Sequence, residues 1–404
     1  MKKVSVLIAM STLLTISACK LTQDGRIMID PSEATALQDS PKTASWTVVG
    51  TNPLSSAATS SIAMSMFNGS TPYVAYADGT GTSFKLAVQA CTGGASCTSW
   101  TTVGTNISAN EAYDIAMAVY NNSGTANPYV VYRELVTAAP SLVFKPVVKM
   151  FNGTSWSDVG NISSILGATV PSDWYPQVAV YDNGGVAMPF VVAKGRVMYY
   201  NGTSWSFLGL PIPGAANGFP KIAIHFDGTN PVPYVLYRDE TAPNPDTLTL
   251  AYYDYSIDDW AFLGGRGFGS STGTVGWFSF YFTAAGTPYT FFEDTGTGQS
   301  KVMTYSGSAW VNYVTTPVSS TEIAYPAIAV DETDSTVYVA YRDSSSDKLI
   351  AKKSTGTTFT SLGTGSISWV NYINLGIDTT NHVPLFSYED DNYSPARVYV
   401  KKYQ

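Results

Sequence analysis

Short apolar, β-branched and aromatic runs alternate along most of the chain with clusters of Gly, Asn, Asp, Ser and Pro. The runs are too brief for amphipathic helices. Their Val, Ile, Tyr and Thr content predicts strands joined by tight turns. Three of the runs recur. An aromatic-x-x-[Val/Leu/Tyr] pattern begins at Trp46, Trp100, Trp156, Trp205, Trp260, Trp310 and Phe359, with spacings of 54, 56, 49, 55, 50 and 49 residues. Upstream of most copies lies a run such as "PYVAYAD" from Pro72, "PYVVYRE" from Pro128 or "PYVLYRDE" from Pro233. A third run opens each unit, as at Ile62-Ala63, Ile115-Ala116, Val178-Ala179, Ile222-Ala223 and Ile328-Ala329.

Each unit therefore holds four short strands. The hexapeptide "FNGTSW" (Phe151 to Trp156), echoed as "YNGTSW" (Tyr200 to Trp205) and "YSGSAW" (Tyr305 to Trp310), marks the turn between the third and fourth. Asn152-Gly153 and Asn201-Gly202 suit a hairpin whose two central residues both take positive φ. Four strands in about fifty residues, seven times over, predict an all-β, seven-bladed propeller. The last unit ends after its third strand at Arg397–Gln404, and the absent fourth strand stands at the other end of the chain as "SWTVVG" from Ser45. An N-terminal strand is expected to close the ring and remove two sheet edges.

The chain has 404 residues, of which 13% are charged and 45% hydrophobic, with a formal net charge of -8. With no basic cluster beyond the first residues, nucleic-acid binding is excluded as a function class. The N-terminus differs from the rest. Lys2 and Lys3 precede an apolar stretch from Val4 to Ile16 that is too short to span a membrane. It ends in "ISAC", with Ile16 where ordinary signal cleavage wants a small residue.

That tetrapeptide resembles the bacterial lipobox. The resemblance implies a signal peptide over residues 1–18 and a lipidated Cys19; the polar residues that follow, without strand period, read as a flexible tether over 19–44 ahead of the propeller over 45–404. It implies attachment to the bacterial envelope by the acyl chains alone. Lys20 rather than Asp after the cysteine favours the outer membrane, facing periplasm or surface. Two cysteines remain, Cys91 and Cys97, bracketing a third turn; an oxidising compartment predicts a disulfide between them.

Catalytic material is sparse. The two histidines, His225 and His382, fall in different first hairpins, so no catalytic triad, metal-ligand set or cofactor motif is predicted. The second strand ends in an acid in six units: Asp78, Glu134, Asp239, Asp294, Asp343 and Asp390. Arginine precedes three of these acids, at Arg133, Arg238 and Arg342. Such a ring on one face would hold a cation or supply glycosidase carboxylates; equally, each acid would cap its own turn. Trp174, Trp277 and Trp369 break the tryptophan repeat and stand with Tyr325 near the start of first strands. Aromatic rings beside arginines and acids suit sugar recognition, and they also suit plugging a central channel.

The hairpin-tryptophan arrangement resembles the Asp-box of sialidases, Ser-x-Asp-x-Gly-x-Thr-Trp. "FNGTSW" keeps the Gly and Trp and lacks the Asp, and no arginine triad accompanies it. "YNGTSWSFLG" is similar to the ending of repeats in seven-bladed bacterial lectins. These resemblances imply a monomeric, non-enzymatic recognition protein for glycan or an envelope protein, with a carbohydrate-active hydrolase or a structural scaffold as alternatives. The candidate ligand residues are Trp174, Trp277, Trp369, Tyr325, Arg133, Arg238, Arg342, Asp239 and Asp343.

Overall fold

The computed structural model describes residues 20–21, 27–28 and 44–404, apart from 80–82, 139–140, 217–218, 364–366 and 393. The signal segment and Cys19 lie outside the described residues. The chain divides into two units at Ala44 and Ser45. In the first, Lys20–Leu21 pairs antiparallel with Ile27–Met28, a two-residue ladder where the polar pattern predicts no strand. A ladder this short shows no period in sequence.

The second unit is a ring of seven four-stranded antiparallel sheets, each in the order first, second, third, fourth strand. The first strands are Ala58–Phe67, Ala112–Asn122, Gln177–Asp182, Lys221–Phe226, Val275–Phe282, Ile323–Asp331 and Val370–Asp378. We number the blades I to VII in that order. Successive first strands pack on one another right around the ring, blade VII on blade I included, so they line the axis. The apolar core lies between neighbouring sheets. Leu86 and Val88 of blade I, for example, meet Val130 and Tyr132 of blade II, all buried. Each such large side chain contributes about 1.5–3 kcal/mol by leaving water.

The fourth-strand tryptophans explain why a Val-Gly or Leu-Gly pair follows several of them, as at Val103-Gly104, Val159-Gly160 and Leu263-Gly264. Each indole N–H donates to a backbone carbonyl on the fourth-strand segment of the preceding blade. Trp100 reaches Val49 O at 2.8 Å, Trp156 reaches Val103 O at 2.7 Å, and Trp205 reaches Val159 O at 2.7 Å. Trp260, Trp310 and Trp46 do the same to Leu210, Leu263 and Leu362 at 2.9, 2.9 and 2.7 Å. The glycine beside the acceptor makes room for the incoming ring. A Cβ on Gly104 would sit 2.7 Å from Trp156 Cδ1, and its φ of +66° disfavours other residues as well. Phe359 has no N–H to give, so the blade V–VI interface lacks this bond.

The hairpins before Trp156 and Trp205 differ from the expectation. Phe151 pairs with Trp156, so the loop has four residues, and Gly153, not Asn152, takes positive φ. The Asn152 side chain instead accepts the backbone N–H groups of Thr154 and Ser155, both at 2.9 Å. Asparagine is there as a side-chain acceptor that holds the turn. Asn201 repeats the pattern on Thr203 and Ser204.

Closure is as the sequence predicts. Trp46–Val48 pairs with the third strand of blade VII, Trp46 opposite Tyr403 and Val48 opposite Lys401. The chain then crosses to blade I through a hydrogen-bonded seam: Val49 N to Val400 O, Leu54 N to Val398 O, and Arg397 to Ser55 O. Cys91 and Cys97 form their disulfide in the third turn of blade I. That turn leans on blade VII, where Asp378 accepts the Ala95 N–H at 2.7 Å. Among the described residues no helix is long and apolar enough to cross a membrane.

Candidate functional site

First strands begin, and second strands end, on one face of the ring. There the ladders of five blades slip. Two residues of the first strand oppose one of the second at Ser60–Ser61, Asp114–Ile115, Gly276–Trp277, Tyr325–Pro326 and Tyr372–Ile373. A bulge of this kind re-aims the side chains it carries. Asp114, Tyr325 and Tyr372 sit there with φ near +50°, a left-handed conformation uncommon for side-chain-bearing residues. The bulged residues open a funnel at the axis, a cavity of 450 Å³ lined by residues from all seven blades.

Five aromatic rings form a continuous arc around that mouth. Tyr175 meets Phe219 at 4.6 Å between centroids, Phe219 meets Trp277 at 6.4 Å, Trp277 meets Tyr325 at 4.9 Å, and Tyr325 meets Tyr372 at 5.5 Å. These are ordinary separations for interacting rings. Yet the rings are not sealed into a core: Trp277 is 45% exposed, Phe219 41% and Tyr372 38%. A second cavity of 340 Å³ adjoins the funnel and shares Phe219, Lys221 and Trp277 with it, adding Arg238 and Glu293.

The ionisable groups in the wall are desolvated. Burial pulls the Lys221 ammonium below the usual lysine range. Burial raises the carboxyl of Glu293, against the donated backbone N–H groups of Trp277 and Ile323. Burial likewise raises Asp114, although Arg133 opposes it. Outside both linings, opposite Asn371 in the blade VII ladder, Glu389 is pushed up to about 7, chiefly by burial, with Asn371 lowering it and Asp391 adding repulsion. Burial thus biases Glu293, Asp114 and Glu389 toward the neutral carboxyl, which makes this face less anionic than its composition suggests.

The residues singled out from sequence divide into several groups. Trp277 and Tyr325 stand in the arc. Arg342 lies 5.1 Å over the Tyr325 ring and donates to Asn371 at 2.7 Å. Arg238 lines the second cavity, 3.6 Å from Asp246. Arg133 is turned away from solvent, paired with Asp114 and 4.2 Å over the Phe144 ring. Trp369 is 55% exposed on a turn whose backbone bonds Asp347 and Asp391, outside the arc. Trp174 is 1% exposed in the core between blades II and III, where no ligand reaches it without local opening.

Asp239 and Asp343 hold structure together. Asp239 is fully buried and accepts from Arg266 at 2.7 and 2.8 Å and from Thr249 at 2.8 Å. Burial alone would raise its carboxyl, and these donors hold it below the ordinary value. Asp343 accepts from Thr321, Ser345 and Ser346 and is lowered in the same way. Asp78 and Glu134 likewise fasten the backbone N–H groups of Ser56 and Ala57 and of Ala109 and Asn110. Asp343 caps its own turn, whereas Asp78 and Glu134 hold the segments that lead into the first strands of their blades, 21 to 25 residues upstream. No group of three potential metal ligands occurs among the described residues.

Phe219, Lys221, Tyr372, Glu293 and Glu389 were not among the sequence candidates. A signal existed for part of the set. "YPQVAV" from Tyr175, "FPKIAI" from Phe219 and "YPAIAV" from Tyr325 repeat an aromatic-Pro pair at the entrance to a first strand.

No protein-family model matches the chain, and no curated protein does. Solved structures share its fold. A protein of unknown function from Dyadobacter fermentans aligns at TM-score 0.50 and 12% identity over 89% of this chain and 97% of that one. A GH74 xyloglucanase from Xanthomonas campestris aligns at TM-score 0.56 and 14% identity over 88% of this chain and 55% of its own. A Trypanosoma rangeli sialidase aligns at TM-score 0.45 and 11% identity, over 89% and 59% respectively. At these identities the likeness is one of fold.

Proposed function

We propose that this protein is a non-enzymatic recognition lipoprotein of the bacterial envelope that binds glycan in the axial funnel. The observation that carries the reading is the arc of five partly exposed rings on one face. Sugar rings present apolar C–H faces that stack on aromatic planes, while Asn374 and Lys221 in the same wall can bond hydroxyls. Cys19 would supply the membrane attachment through its acyl chains, most simply at the outer membrane, and the ring would act as a monomer. The test is a glycan array probed with the full chain, paired with an assay for newly released reducing ends. Binding without release supports recognition; an array blank for every glycan class refutes it.

One observation favours a second reading, a carbohydrate-active hydrolase. Glu389 is 6% exposed and held at about 7, where a general acid works best near neutral pH. Release of reducing sugar by the wild type, abolished in Glu389→Gln, would replace recognition with hydrolysis.

A further inference from the structure

The charge of the sugar can also be read from the funnel, on the understanding that this step rests on the glycan-binding proposal. Lys221 stands where the 450 Å³ and 340 Å³ cavities meet, at the first residue of its strand and two after the ring of Phe219. Among the described residues no carboxylate or carbonyl is bonded to its ammonium. No ion pair joins it to Glu293, the acid that lines the smaller cavity with it, and burial pulls its titration down. A cation withdrawn from water without a partner is costly to keep, and an incoming anion removes that cost.

Two further cations on the same face have unfilled donors. The Nε atoms of Arg238 and Arg342 are buried and lack a hydrogen-bond acceptor. Their nearest carboxylates, on Asp246 and Asp347, stand at 3.6 and 3.8 Å. Against them the acids on this face are muted. Glu293 and Glu389 are both biased toward their neutral forms, and Asp114 is engaged with Arg133. A chain with net charge -8 thus keeps, where its two cavities meet, a lysine with no bonded or ion-paired anion among the described residues.

We propose that the funnel selects an anionic sugar, one bearing a carboxylate or a sulfate ester, and that Lys221 receives the anion while Phe219 and Trp277 cover the sugar ring. Arg238 flanks the same cavity and contributes to the positive field.

The experiment titrates the full-length chain in detergent with three probes of matched length: oligogalacturonate, sulfated dextran oligomers and neutral cello-oligosaccharide. Lys221→Met keeps the apolar stem without the charge, Lys221→Gln is a second neutral variant, and Lys221→Arg restores a cation. Wild type should prefer one or both anionic probes by about 10- to 100-fold, the range of one hydrogen bond to a charged group. Affinity should weaken as salt rises. The two neutral variants should lose that preference and its salt dependence, and Lys221→Arg should retain most of both. The better of the two anionic probes identifies carboxylate or sulfate as the source. Equal binding of neutral and anionic probes by wild type overturns this inference and leaves the glycan proposal standing, as does a preference that survives in Lys221→Met and Lys221→Gln. Failure of all three probes, with an array blank as well, removes both.

Discussion

Replacing Trp46 with phenylalanine keeps a ring in the closing strand and deletes one hydrogen bond. The indole N–H spans the blade VI–VII interface to Leu362 O at 2.7 Å, joining residues 316 apart in sequence. Leu362 is 2% exposed, so its carbonyl is poorly placed to find water instead. An unsatisfied buried acceptor costs about 1–3 kcal/mol, which sets roughly 1–2 kcal/mol for Trp46→Phe, where some relaxation is available. Trp46→Ala also forfeits the contacts with Phe386 at 4.7 Å and Tyr403 at 5.7 Å. The larger deletion should cost about 3–5 kcal/mol, as for other packed aromatics. Trp369→Ala is the control: that side chain is 55% exposed and should stay within about 0.5 kcal/mol of wild type. Urea denaturation followed by fluorescence and circular dichroism separates the three. If Trp46→Ala unfolds at the same midpoint as Trp369→Ala, the terminal strand is not part of the cooperative ring, and the closure reasoning fails.

Cys19→Ala should abolish fatty-acid labelling and release the protein from membranes, because the thioether needs that sulfur; equal labelling of the mutant refutes the anchor. The Cys91–Cys97 bond closes a loop of sequence separation 6, and its reduction should cost on the order of 2–3 kcal/mol at most, read from urea midpoints with and without reductant. His382 of blade VII bonds Asp331 of blade VI at 2.8 Å; this hydrogen bond, then the charge of Asp331, lifts its imidazole above the ordinary value. A raised folded-state value makes its contribution full below the unfolded value of about 6.5 and lost as pH rises through the folded one. His382→Gln should therefore unfold more readily than wild type at acidic pH and converge with it in mildly alkaline buffer; a gap independent of pH speaks against the pair.

Much of the architecture was legible because propeller blades reuse the same local chemistry. Asn152, Asn201 and Ser306 each head a turn, and the tryptophan that follows is tied to a carbonyl one blade back, so the spelling repeats with the geometry. The missing last strand was legible by the same count. The funnel was harder. A residue that departs from the repeat is visible in sequence, but the direction it faces is not. Trp174 and Trp277 look alike as exceptions, yet one packs between blades and the other opens to solvent. The bulges that turn Tyr325 and Tyr372 inward depend on a one-residue slip between paired strands, which composition does not reveal. Asp239 and Asp343 pointed to a ligand face because acids cluster there, whereas Asp239 is taken up by Arg266 and Thr249 and Asp343 by the turn beside it. Lys221 drew no notice because its significance lies in what it lacks, a bonded anion among the described residues.

The claim that the aromatic arc is a sugar site is tested most directly by calorimetric titration of the array's strongest glycan into wild type and Trp277→Ala. Trp277 is 45% exposed, so its removal should leave the urea midpoint nearly unchanged. Loss of one stacking face, with its buried area, should weaken binding by about 10-fold or more. Affinity unchanged in a Trp277→Ala protein of wild-type stability would place the glycan elsewhere and contradict the account.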